Sequence, residues 1–95
     1  MKTLDSKHYL EGEQIVKTSN GIPIDLDDEP VFLLRARDKL AVDALFGYWR
    51  FCKDANCTSY QMQVIEREIQ RFQVYAHTHP KAMKQPGSTA GKQGV

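Results

Sequence analysis

The sequence predicts an α+β fold: a short antiparallel β-sheet packed against an antiparallel two-helix hairpin, with a disordered C-terminal tail. Three observations lead there. A continuous apolar run, Val31-Phe32-Leu33-Leu34, reads as a buried strand. Two segments, from Asp38 to about Asp54 and from Ser59 toward Pro80, repeat apolar residues at helical spacing across a short polar break. Beyond Pro80 the composition shifts to Pro, Gly, Ser, Lys and Gln, which cannot bury a core.

At 95 residues the chain is expected to form one domain, residues 1–80, with 81–95 as the tail. A core of that size is modest, so self-association is a common route to added stability. The net charge of +1 argues against a protein that coats nucleic acid along its whole surface, and any electrostatic binding must come from a local patch. No apolar run reaches the ~20 residues of a membrane span, and the N-terminal residues lack the apolar core of a signal peptide. Cys52 and Cys57 are too few for a disulfide scaffold, so the expected setting is a reduced cytoplasm.

Residues 1–12 are polar and read as an arm or a poorly defined first element. Gln14–Thr18 is a short strand rich in β-branched residues, and Asn20-Gly21 favours a tight turn. Ile22-Pro23-Ile24 would return as an edge strand, because proline donates no ladder hydrogen bond. Asp25, Asp27, Asp28 and Glu29 form an acidic loop without the glycine and terminal glutamate of an EF-hand arrangement, so no metal is assigned to it.

The main strand is expected at Val31 to Arg37. Alternation puts Val31, Leu33, Arg35 and Arg37 on one face and Phe32, Leu34 and Ala36 on the other. Asp38 then serves as the N-cap of the first helix. Ala41, Val42, Leu45, Tyr48, Trp49 and Cys52 cluster on that helix, with Leu40, Ala44 and Phe51 widening the arc. So broad a face needs more than one partner, and Phe46 stands apart in the polar stripe. Asn56 suits a left-handed helix ending, and Thr58 with Gln61 forms a capping box for the second helix. Met62, Ile65, Ile69, Phe72 and Ala76 make a heptad-like seam, which packs against the first helix or against a symmetry mate.

Catalytic signatures are wanting. Cys52, Cys57, His77 and His79 have zinc-ligand chemistry, but about 19 helical residues separate the pairs by roughly 28 Å. Gly87 to Gln93 fails the phosphate-loop pattern, with three residues between its glycines and Gln after Lys92. No nucleophile elbow is present, so the chain reads as a non-enzyme without a cofactor. The remaining chemistry is Arg35, Arg37 and Lys39, where a strand would hand over to a helix. These either pair with the acidic loop or bind an anion such as a phosphate. Tyr9, Phe46 and Tyr60 are aromatic residues able to stack a base.

Gly21-Ile-Pro-Ile and Asp28-Glu-Pro-Val-Phe-Leu-Leu-Arg-Ala-Arg-Asp-Lys-Leu-Ala resemble segments of small proteins from phages and bacterial mobile elements, over roughly residues 15–80. The resemblance implies a non-enzymatic accessory factor that acts in a host cytoplasm by binding a host protein or sequestering a nucleotide signal. Two uses are therefore expected. The first is a homo-oligomeric module acting through protein contacts, with Phe46, Met62, Ile65, Ile69 and Phe72 as interface residues. The second is a nucleotide or nucleic-acid binder using Arg35, Arg37 and Lys39.

Overall fold

Chain order runs through three short strands and then two helices: β1 (Lys2–Thr3), β2 (His8–Glu11), β3 (Gln14–Lys17), α1 (Ala41–Asp54), α2 (Ser59–Thr78) and a 3-10 turn at Pro80–Ala82. The computed structural model describes residues 2–87. The architecture is α+β, and the chain divides into two compact units, Met1–Leu33 and Leu34–Val95, where the sequence suggests one domain. No helix among the described residues is long and apolar enough to cross a membrane.

The first unit is an antiparallel sheet in the order β1-β2-β3, with Tyr9 opposite Val16 and Leu10 opposite Ile15. A two-residue loop joins β2 to β3, and Gly12 there takes φ 59°, a left-handed value that tight hairpin turns require. Lys2–Thr3 and His8–Glu11 are therefore strands, where the sequence suggests an arm or a poorly defined first element. The expected turn at Asn20-Gly21 forms, with Gly21 at φ 69° and the Asn20 side chain accepting from the Ile22 N–H at 2.9 Å. The returning strand is reduced to one bridge, Val16 to Pro23. It is flanked by hydrogen bonds from Lys17 N–H to Ile22 O and from Ile24 N–H to Ile15 O. Val16 is the fully buried side chain of this unit.

Val31 to Arg37 is not a strand. A strand exists only where its N–H and C=O groups find a ladder partner. One side of β3 is paired with β2 and the other is occupied by residues 22–24. The apolar run is also not buried: Phe32 is 88 % exposed, and Val31 and Leu33 are exposed as well.

The second unit is the helical hairpin. Thr58 accepts from the Gln61 N–H at 3.1 Å, so the expected cap of α2 is present. At the end of α1, Asn56 sits at φ 58°, with bonds from Cys57 N–H to Cys52 O and from Asn56 N–H to Lys53 O. These are the paired 6→1 and 5→2 bonds of a Schellman ending. Asp38 does not cap α1. Its carboxylate accepts from the Leu40 N–H at 2.7 Å and its carbonyl from Ala41 N–H, so it sets the turn before a helix that starts at Ala41.

Cys52, Ile65 and Ile69 form the buried centre of the hairpin, with Val42, Leu45, Trp49 and Met62 packed around them. The Trp49 indole donates to Glu66 at 2.9 Å across the two helices, and Lys53 lies 5.3 Å from the Trp49 ring centre. The tail begins later than expected: Lys81 and Ala82 belong to the 3-10 turn, and Lys84 bridges Asp38 as a parallel pair. The rest of the expected disordered tail, residues 88–95, lies outside the described residues.

Candidate functional site

An antiparallel hairpin returns the end of its second helix to the start of its first, and here that common end carries the site. After α2, Thr78 donates its hydroxyl to Val74 O at 2.9 Å, and His79 N–H donates to Tyr75 O at 2.8 Å. The Tyr75 carbonyl, first of the four that the helix leaves without an intrahelical partner, is thereby satisfied. The chain then turns through Pro80–Ala82 and runs beside residues 37–39. Lys84 N–H donates to Arg37 O at 2.9 Å, and Lys39 N–H donates to Lys84 O at 3.0 Å. Two segments far apart in sequence are locked backbone to backbone.

The product is an open cleft of about 640 Å³ lined by Arg35, Arg37, Lys39, Tyr75, Lys81, Met83, Lys84 and their neighbours. Among the described residues, five of the lining side chains are cationic and none is acidic. Arg37 and Lys84 are half-buried, while Arg35, Lys39 and Lys81 are exposed. Among the described residues none of the five is in a salt bridge. Tyr75 supplies an aromatic wall, and His79 holds its ring by stacking at 4.3 Å between centroids and 10° between planes.

Charge is strongly segregated along the chain. Residues 34–95 hold ten Lys and Arg against five Asp and Glu, whereas residues 1–33 hold three against seven. The overall charge of +1 conceals this division. The acidic loop is organised by its own backbone: the Asp25 carboxylate accepts from Asp27 N–H, and its carbonyl accepts from Asp28 and Glu29 N–H. Glu13, Asp25 and Asp27 line a separate hollow of about 390 Å³ in the first unit. Among the described residues no group of three His, Cys, Asp or Glu is placed to hold a metal ion.

The structure thus brings together Arg35, Arg37 and Lys39, and adds Lys81, Lys84 and Tyr75, which sequence reasoning assigned to tail and helix. The residues expected to form a protein interface are placed differently. Ile65 and Ile69 are buried and Met62 packs against them, so the seam is the core of the hairpin. Phe72 is half-buried on α2, and Phe46 is 44 % exposed on α1. Tyr9 lies in β2 and Tyr60 is exposed in the first turn of α2.

Cys52 makes a second, smaller constellation. Hydrogen bonding toward the Cys52 thiol, with its charge and partial burial, raises the pKa of both Tyr48 and Cys57 above its ordinary value. Both cysteines are free, Cys52 buried and Cys57 exposed. A raised thiol pKa is the opposite of what a nucleophile needs.

Comparisons with protein-family models, curated proteins and solved structures yield no match to this chain.

Proposed function

We propose that this protein is a non-catalytic binding module that takes a nucleotide in the cationic cleft, with the phosphates on the arginines and lysines and the base against Tyr75. One observation carries the reading. Five cations from two distant segments converge on one cleft of about 640 Å³ whose wall, among the described residues, has an aromatic ring and no carboxylate. Arginine recognises phosphate oxygens through paired N–H donors, and lysine adds point charge. The volume falls within the range of small-ligand sites. Among the described residues neither imidazole, thiol nor carboxylate lines the cleft, which supports binding rather than turnover. The role that follows is that of an accessory protein in the cytoplasm which sequesters a phosphorylated signal.

Calorimetric titration of the full chain with a nucleoside triphosphate, inorganic triphosphate and a single-stranded oligonucleotide tests the reading. The wild type should bind the nucleoside triphosphate more tightly than inorganic triphosphate, and an Arg35→Ala, Arg37→Ala variant should lose both. Equal binding by wild type and variant overturns it. Tighter binding of the oligonucleotide than of the nucleoside triphosphate replaces the small ligand with nucleic acid.

A further inference from the structure

The hairpin core uses one side of α1 and leaves another apolar side uncovered. Leu40, Ala44, Gly47 and Phe51 follow spacings of four, three and four, which places them within an arc of about 60°. Phe51 is 73 % exposed, Leu40 and Ala44 are exposed, and Tyr48 borders the stripe with its ring half in solvent. From Leu40 to Phe51 the stripe runs for roughly 16 Å. Its ends are bulky and its middle is small.

Among the described residues nothing packs against the position where a Gly47 side chain would stand. The residue sits inside a helix, where glycine is less stable than alanine. A Cβ built there meets nothing within 4 Å. What the absence of a side chain does provide is close approach by another backbone. The charges beside the stripe fit one kind of partner. Asp43 and Arg50 share a flank seven residues apart, and among the described residues neither is in a salt bridge.

We infer that this face of α1 binds the same face of a second copy, antiparallel, about a two-fold axis near Ala44 and Gly47. A two-fold perpendicular to both helix axes keeps each flank on its own side and reverses its direction. Leu40 then meets the partner's Phe51, and the small residues face each other at the crossing. Asp43 comes within about 3 Å along the axis of the partner's Arg50, which the long arginine side chain spans, and the pair forms twice. In a parallel pair the two-fold runs along the seam and carries this flank to the opposite side, so Asp43 and Arg50 of the two copies do not meet. A second copy therefore satisfies both the apolar stripe and its charged border. The surface is separate from the nucleotide cleft, and its test does not depend on ligand binding.

Sedimentation equilibrium of the full chain, with circular dichroism as the control for folding, tests the inference. The wild type should show a monomer–dimer equilibrium. Gly47→Leu should weaken it about tenfold or more through overpacking at the crossing. Gly47→Ala should raise the thermal midpoint of dilute protein while weakening association, two effects of opposite sign that a purely structural glycine would not give. Asp43→Arg alone should weaken dimerisation about threefold or more, and Asp43→Arg with Arg50→Asp should restore it. A wild type that stays monomeric up to millimolar concentration overturns the inference. So does dimerisation unchanged by Gly47→Leu, or a double exchange that fails to recover the loss.

Discussion

Replacing the cleft cations one at a time should weaken nucleotide binding in an order set by their burial. Two unit charges about 4 Å apart attract by about 1 kcal/mol in water and about 4 kcal/mol at an effective dielectric constant near 20. The cleft is open, so each cation falls toward the lower part of that range. Arg37 and Lys84 are half-buried, and their backbones are tied to each other by a 2.9 Å hydrogen bond. Less solvent and less lost motion favour them, and about 2 kcal/mol each, near 30-fold in affinity, is expected for Arg37→Ala or Lys84→Ala. Arg35 and Lys81 are exposed. About 1 kcal/mol, near fivefold, is expected for each of these. Raising salt from 0.1 M to 1 M shortens the screening length from about 10 Å to about 3 Å, so wild-type affinity should fall steeply. The Arg37→Ala, Lys84→Ala double variant should respond less. Calorimetry with a nucleoside triphosphate at several salt concentrations reads both effects, with the thermal midpoint as the folding control. If all four alanine variants bind within twofold of the wild type, or if salt leaves affinity unchanged, the electrostatic account of the cleft is wrong.

Three further outcomes concern the hairpin that builds the cleft. Ile65→Ala or Ile69→Ala removes a buried side chain from the interhelical centre and should destabilise the protein by about 3 kcal/mol in urea unfolding. Thr58→Ala deletes the acceptor for Gln61 N–H and should lower stability by about 1 kcal/mol, with Thr58→Ser recovering most of it. Cys57 should react slowly with iodoacetamide for so exposed a thiol. Its rate–pH midpoint should lie above the ordinary thiol value, because the hydrogen bond with Cys52 favours the protonated form. Cys52→Ala should move that midpoint down, and no movement would remove the assigned cause.

What the sequence made legible is what local rules decide. Thr58 with Gln61, Asn56 and the Met62–Ile65–Ile69 spacing each specify helix ends or a buried seam without reference to distant residues. The Thr58 half of the capping box and the Asn56 ending are present, and of the two uses read for the seam it serves the hairpin core. The strand at Val31 to Arg37 failed because an apolar run specifies burial only if a ladder is open to receive it. That ladder is completed by β2 and the Pro23 bridge. The N-terminal hairpin was missed although it leaves a signal: Gly12 separates two four-residue segments, His8–Glu11 and Gln14–Lys17, with two residues between them. Half of the cleft was legible, since Arg35, Arg37 and Lys39 stand together in sequence. Lys81 and Lys84 lie in a stretch whose composition reads as solvated tail, and only the return of α2 to the start of α1 brings them into the same wall.

The parallel bridge between Asp38 and Lys84 gives ligand binding a mechanical meaning. Residues 35–39 and 81–85 lie near the two ends of the second unit, and outer segments of a small fold are the first to fray. A phosphate held by Arg37 and Lys84 together would clasp those ends. On the proposed function, the free energy of binding would appear as resistance to local opening, greatest at this clasp and growing with ligand concentration. Occupancy would then be written into how readily the flanks of the hairpin exchange their amide hydrogens, and the cleft would act as a latch on the fold as well as a receptacle.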